Sequence, residues 1–264
     1  MISYIALLPH TTALHALVSG APNAIPESVS KALDQVASDI HQRGIKTLLI
    51  IAGHPRYTRQ GFSAYIDKTY SLHFKDFGDL THQEPVDVSW NLFHSMREAG
   101  ALKQIPVHPI ADSEPDFAHA LPLWLISRQW PAEFRVQALC VNDYTAATPA
   151  ERVDFGSVLA SAINSLEQPV AVLVSQECLF SETTEPAEIN RVKEANMQLR
   201  YQASSLWSLA EASQISLPQP CAQGALTIAK SMIGDEAWAY EELCFEHIAN
   251  TSMLIARLLP PSEK

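Results

Sequence analysis

The sequence predicts an α/β fold in which a central, largely parallel or mixed β-sheet is covered by helices on both faces. Apolar runs of strand length alternate with segments of helical spacing along all 264 residues. Several of these runs are continuously apolar, which is typical of strands that are buried on both sides. No low-complexity linker, long charge run or repeat of fixed period divides the chain. Residues 1–264 are therefore expected to form a single domain.

The first half of the chain supplies the elements on which the candidate site depends. ISYIALL at residues 2–8 predicts a buried strand, and residues 26–44 predict a helix with Pro26 at its start and Gly44 at its end. KTLLIIAG at residues 46–53 predicts the next buried strand. The other elements predicted in this half are a more exposed strand at 64–74, a helix at 86–100 and a short strand at 104–111.

The second half repeats the order strand, helix, strand. Residues 133–143 and 169–175 predict strands that flank a helix at residues 149–166, and helical spacing returns from about Ala187 to Ala212. Ligand sites in such folds lie beyond the carboxyl ends of the strands, so functional side chains are expected there. The remaining predicted elements are a helix at 222–234 and strands at 238–246 and 252–258.

Charge and composition argue against several classes of protein. A formal net charge of −11 argues against a protein whose main task is binding nucleic acid, because neutralising phosphates requires a basic face. No apolar run approaches the roughly 20 residues that span a bilayer, and the N-terminus lacks a signal-peptide pattern. No membrane partner is expected, and a cytoplasmic location is the default expectation. The four cysteines form no CxxC pair and are expected to be reduced thiols.

Two histidines each follow an apolar strand directly. His10 ends IALLPH and His54 ends LLIIAGH, and both precede loop-like sequence. Because the carboxyl ends of parallel strands meet at one edge of a sheet, these two imidazoles are expected to converge. A carboxylate would complete the facial triad that leaves coordination positions open on Fe(II) for substrate and oxygen. The spacing thus points to a metal site, while a structural role for each histidine remains the alternative.

The order of six short motifs resembles the LigB-like superfamily, which contains the class III extradiol ring-cleavage dioxygenases and the related Memo proteins. The motifs are IALLPH, LLIIAGH, DFAHALPLWLI, VAVLVSQECLF, EPAEIN and CAQGALTIA, and they cover nearly the whole chain. The resemblance implies that His10 and His54 bind a non-haem Fe(II), with Glu188 of EIN as the carboxylate ligand. It also implies a catechol-like or aminophenol-like ring as substrate together with O₂. Members often assemble, so a homo-oligomer, or a hetero-oligomer with a homologous subunit, is expected.

The chain departs from the family at two positions that handle protons. Phe117 stands where an Asp-His-Gly stretch usually has its histidine, and Phe180 stands at the end of SQECLF, where the acid-base histidine is usual. Phenylalanine cannot transfer a proton, so both residues are interpreted as lining the substrate pocket. His119 and Glu177 are the candidates to supply the acid-base chemistry instead.

Three interpretations stay open at this point. In the first, the chain is an Fe(II) dioxygenase in which Arg56 and Arg59, beside His54, receive an anionic substituent of the ring. In the second, it is a catalytically silent member that serves as a structural subunit or a small-molecule binding module. In the third, it is a Memo-like metal-binding redox protein that uses Cys221 as its third ligand.

Overall fold

A computed structural model describes residues 1–18, 25–53, 61–74, 85–144, 146–179, 181, 183, 185–207, 220–248 and 251–261 of the chain. Strands and helices alternate through these residues. The strands are β1 (Ile2–Pro9), β2 (Thr47–Ala52), β3 (Phe62–Ile66), β4 (Thr69–Ser71), β5 (Pro85–Val88), β6 (Val107–Ala111), β7 (Gln137–Asn142), β8 (Val170–Gln176), β9 (Ala239–Ile248) and β10 (Thr251–Leu259).

Most of the helices are long, and the first is a single turn that follows a short 3₁₀ segment at Thr12–Leu14. The helices are α1 (His15–Val18), α2 (Glu27–Gln42), α3 (Trp90–Leu102), α4 (Phe117–Ser127), α5 (Pro149–Asn164), α6 (Pro186–Leu206) and α7 (Pro220–Ile233). None of these described helices is both long enough and apolar enough to cross a membrane.

The strands form one ten-stranded sheet. The sheet is mixed, as the sequence predicts. Its centre is parallel, because β8 pairs in parallel with both β1 and β2, and β2 pairs in parallel with β7. Antiparallel pairing begins at the flanks, where β10 pairs with β1, β9 pairs with β10, and β4 pairs with β5. The three central strands β1, β8 and β2 therefore end at the same edge of the sheet.

Helices cover both faces of this sheet and enclose two apolar cores. α2 and α4 pack on one face, whereas α3, α5, α6 and α7 pack on the other. α2 shows why its sequence folds in this way, since Val29, Leu33, Val36 and Ile40 recur at helical spacing and are fully buried. Burying each such side chain contributes about 1.5–3 kcal/mol of hydrophobic stabilisation.

Two sequence predictions of strands and helices require correction. Residues 64–74 do not form one exposed strand: β3 and β4 divide this region, and β3 is mostly buried because it lies between β6 and β7. The predicted helix at 86–100 begins with strand residues instead, because Pro85–Val88 pairs with β4 and β7 before α3 starts at Trp90.

Candidate functional site

A cleft of about 280 Å³ opens at the carboxyl edge of the sheet, beyond the ends of β1 and β8. The register aligns Pro9 with Gln176, so the residues that follow these two strands lie side by side. β2 ends at Ala52 on the other side of β8. The described residues that line the cleft are His10, Thr12, Asp116, Phe117, Ala118 and Glu177.

His10 is held firmly in this cleft. Its backbone N–H donates to the carbonyl of Gln176 at 3.1 Å, which continues the β1–β8 pairing by one residue. Its ring is 2% exposed, and Nδ1 lies 2.9 Å from the hydroxyl of Ser175. The other ring nitrogen, Nε2, lies 4.0 Å from a carboxylate oxygen of Glu177. Glu177, which the sequence predicts as an acid-base residue, is therefore the carboxylate beside His10 in the described structure.

Asp116 caps α4 and links the cleft to the buried His119. One carboxylate oxygen of Asp116 accepts the backbone N–H of Ala118 at 3.0 Å and faces Nδ1 of His119 at 2.8 Å. The other oxygen accepts the Tyr65 hydroxyl at 3.2 Å. Burial raises the pKa of Asp116, but the adjacent His119 and the hydrogen bonds from His119 and Tyr65 outweigh burial and lower it. Asp116 therefore lines the cleft as a carboxylate.

His119 lies behind the cleft and does not line it. Its ring is fully buried, and Nε2 lies 3.0 Å from the carbonyl of Val141. A carbonyl can only accept, so Nε2 donates there, and Nδ1 donates to Asp116 when that carboxylate is ionised. His119 can reach the contents of the cleft only through Asp116.

Phe117 and Glu177 form opposite parts of the cleft wall. The ring of Phe117 meets the ring of His10 edge-on, with the centroids 6.4 Å apart and the planes at 88°. The side chain of Glu177 is 18% exposed and is the carboxylate nearest to the Nε2 of His10 in the described structure. The cleft thus combines an aromatic wall with an imidazole and two carboxylates.

Glu188 lies in the first turn of α6 and is not among the described residues that line the cleft. Its carboxylate forms two hydrogen bonds with Arg191 of the same helix, at 2.6 and 2.9 Å. The hydrogen bonds from Arg191 lower the pKa of Glu188 below its usual range. Within the described part of the chain, no three histidine, cysteine or acidic side chains come together as a metal site would require.

Several predicted site residues lie outside the described residues. Cys221 falls in the first turn of α7, but its side chain is not described. The predicted residues that lie outside altogether are His54, Arg56, Arg59 and Phe180.

The sequence prediction missed two residues of the site. Ser175 touches His10, and Asp116 lines the cleft, but neither was expected to have a role. Ser175 carries a weak signal, because its hydroxyl interrupts the apolar run VAVLV near the end of a buried strand. Asp116 carries a stronger signal, because an acidic residue immediately before a helix is a typical N-cap.

Comparisons with known proteins indicate the family and the fold of this chain. The profile of the family described as the catalytic LigB subunit of aromatic ring-opening dioxygenase matches residues 4–177, which is more than half of the chain. Among curated proteins, none matches. The crystal structure of the uncharacterized protein JW3007 from Escherichia coli K12 is similar in fold, with a TM-score of 0.58 and 12% identity. The alignment covers 97% of this chain and 99% of that one.

Proposed function

Since this chain belongs to the LigB family of aromatic ring-opening dioxygenase subunits, we propose that it is a non-haem Fe(II)-dependent extradiol dioxygenase acting on a catechol-like or aminophenol-like ring. The observation that carries the proposal is the approach of His10 to Glu177 in a cleft at the carboxyl edge of the sheet. Both atoms of O₂ would be incorporated into the ring-opened product.

We propose that the imidazole and carboxylate groups of the described cleft supply part of an iron site. Metal-binding histidines usually engage their second ring nitrogen in a hydrogen bond, and His10 does so through Ser175. Imidazole and carboxylate together suit iron when coordination positions stay open. We propose His10 and His54 as ligands, with Glu188 as the carboxylate ligand that the family resemblance implies. Glu177 is the competing candidate, because its carboxylate already faces His10.

When bound, Fe(II) would polarise the ring oxygens and give O₂ a place to react beside the ring. The other tasks fall to the protein. Glu177 accepts a proton from a ring hydroxyl, since it is the more exposed of the two carboxylates in the described cleft wall. Phe117 packs against the substrate ring and excludes water. Phe180 is proposed as a second aromatic residue that binds the substrate. Arg56 and Arg59 bind an anionic substituent of the ring.

The role proposed for His119 is indirect. Because His119 is buried behind Asp116, it holds that carboxylate ionised and oriented and does not exchange a proton with the substrate. Asp116 in turn supplies a fixed negative charge to the cleft wall, which favours a substrate with hydroxyl or amino donors.

One observation favours a second candidate function. Phe117 places an aromatic ring against His10 in the family position that usually carries a histidine. A side chain that cannot transfer a proton at this position suits a silent member that binds a small aromatic molecule or supports an active homologous subunit. A Memo-like redox role through Cys221 is the third candidate.

Anaerobic Fe(II) titration of purified protein separates these candidates. Wild type is compared with His10→Ala, His54→Ala, Glu188→Ala, Glu177→Ala and Cys221→Ala, and with His41→Ala as a control, because His41 lies on the exposed side of α2. We expect about one iron per chain in wild type and in His41→Ala. Iron should be lost in His10→Ala, in His54→Ala and in one of the two glutamate variants. Loss with Cys221→Ala and with neither carboxylate would favour the Memo-like candidate. The absence of specific binding would leave the binding or structural subunit.

Oxygen uptake then tests the reaction itself. Iron-loaded wild type is mixed with catechols and aminophenols, and O₂ consumption is followed with the appearance of ring-opened product. We expect uptake that Glu177→Gln slows strongly without loss of iron. Iron binding without uptake on any such ring would contradict the proposed reaction and favour the second candidate.

A further inference from the structure

We infer that Pro122 and Ser175 are positioning residues, which fix the imidazole of His10 in the tautomer that carries its proton on Nδ1 and presents an unprotonated Nε2 to the cleft. The use of that nitrogen as a metal ligand rests on the proposed function. The inference about the tautomer rests on the contacts of Ser175 with His10 and with Ala118.

The first step is a proline inside a helix. Pro122 lies in the interior of α4 and has no backbone N–H to donate. The carbonyl four residues earlier, that of Ala118, therefore lacks its ordinary helical partner. A buried carbonyl without a hydrogen bond costs about 1–3 kcal/mol, so this group needs another donor. The hydroxyl of Ser175 on β8 is that donor.

The second step is the single hydrogen of that hydroxyl. Ala118 offers only a carbonyl oxygen, so the hydrogen of Ser175 must lie between Oγ and that carbonyl. The Oγ can then only accept from His10, whose Nδ1 lies 2.9 Å away. Nδ1 therefore carries a hydrogen. Because a neutral imidazole has one N–H, Nε2 keeps its lone pair.

Burial of the two side chains favours a single tautomer of His10. Ser175 is fully buried and His10 is 2% exposed, so bulk water has little access to either hydrogen bond. The lone pair of Nε2 approaches an oxygen of Glu177 at 4.0 Å. An unprotonated imidazole nitrogen is the form of histidine that binds a metal ion. In the opposite tautomer, the hydrogen on Nε2 would prevent His10 from binding a metal through that atom.

These hydrogen bonds link three elements of the fold in one direction. The proline in α4 releases a carbonyl, the carbonyl takes the hydrogen of a serine on β8, and the serine takes the hydrogen of the histidine that follows β1. A residue that would ordinarily weaken a helix here contributes an acceptor aimed at the neighbouring strand. Pro122 and Ser175 touch no substrate in this scheme, and they act only through His10.

The tautomer can be read directly in metal-free protein. Protein labelled with ¹⁵N at histidine is studied by long-range ¹H–¹⁵N correlation at a pH where His10 is neutral. His10→Gln identifies its signals among those of the ten histidines. We expect a protonated Nδ1 and an unprotonated Nε2. The reverse pattern in wild type would overturn the inference.

Two variants test the separate links. Ser175→Ala removes the bridge, so His10 should populate both tautomers, and anaerobic Fe(II) affinity should fall by about 10- to 100-fold. Pro122→Ala returns an N–H to α4 that competes for the Ala118 carbonyl, so we expect a smaller change in the same direction. Because alanine favours a helix far more than proline does, Pro122→Ala should fold even if Ser175→Ala does not.

Ser252→Ala is the matched control. Ser252 is also fully buried and also contacts a histidine, since its Oγ lies 2.6 Å from Nδ1 of His247. The control should leave the His10 signals and the Fe(II) affinity as in wild type. His10 signals unchanged in both Ser175→Ala and Pro122→Ala would overturn the inference. A tautomer change without any loss of Fe(II) affinity would support the inference and refute the proposed role of His10 as a ligand.

Discussion

Breaking the buried ion pair between Asp143 and Arg152, at the end of β7, is predicted to destabilise the fold. Asp143 is 3% exposed, and its Oδ2 accepts a hydrogen bond from Nε of Arg152 at 2.8 Å. Arg152 also donates to the carbonyl of Tyr144 at 3.3 Å. The second oxygen of Asp143 has no hydrogen-bond partner among the described residues. Arg152→Met should therefore leave a buried carboxylate uncompensated and cost about 3–5 kcal/mol of unfolding free energy at neutral pH.

The same ion pair predicts how that cost depends on pH. Burial raises the pKa of Asp143 above its usual value, although Arg152 opposes this. A carboxyl whose pKa is higher in the folded state binds its proton first in that state. Stability is therefore gained as pH falls toward the unfolded pKa and lost as pH rises through the folded pKa. Without Arg152 the folded pKa rises further, so the variant should lose more stability at pH 7.5 than at pH 5.

Urea unfolding of wild type and variant at both pH values measures the two effects. Arg191→Met is the control, because its pair with Glu188 is exposed and such pairs contribute about 0–1 kcal/mol. The double variant Asp143→Asn with Arg152→Met should recover most of the loss, since no buried charge remains. A loss below about 1 kcal/mol, or an equal loss at both pH values, would show that the carboxylate finds other compensation.

Two further predictions concern contacts around the same edge of the sheet. Gly224→Ala would place a Cβ 1.9 Å from Oδ2 of Asp143 and so displace the carboxylate from Arg152. We expect a cost of about 1–3 kcal/mol in urea unfolding, and the double variant with Arg152→Met should cost less than the sum of the two, whereas full additivity would contradict a shared mechanism. His119→Phe keeps a ring but removes the hydrogen bonds to Asp116 and to the carbonyl of Val141, at 2.8 and 3.0 Å. Thermal and urea unfolding should show a loss of about 3 kcal/mol, and a loss under 1 kcal/mol would mean that neither bond stabilises the fold.

The fold class follows from the sequence because the central strands have no polar side. β2 and β8 are buried along their whole length, and continuous apolar runs of this length are typical of strands covered on both faces. The sequence does not predict the strand Pro85–Val88, because this strand is not a continuous apolar run. Its four residues alternate between exposed and buried and lead into α3 after one residue, so helical spacing extends across the junction.

Sequence spacing predicts a site residue only where that residue directly follows a strand. His10 is found from the sequence because it continues β1, and the ends of parallel strands share an edge. Its partner Ser175 is not found, because their contact depends on the register between two strands 165 residues apart in sequence. The sequence predicts an acid-base role for Glu177 and a ligand role for Glu188, and the carboxylate near His10 in the described structure is that of Glu177.

Pro122 shows why local rules fail at this site. By helix propensity alone, a proline in the interior of α4 counts against the helix. The helix persists because the carbonyl that Pro122 releases is satisfied by Ser175, on a different element. The family's histidine position in the same turn is Phe117, so this turn keeps its link to His10 through Ser175 although the side chain at that position cannot transfer a proton. Under the proposed function, the residues that position His10 differ from the residue that accepts a proton, so we expect iron binding to persist in variants that abolish ring cleavage through Glu177.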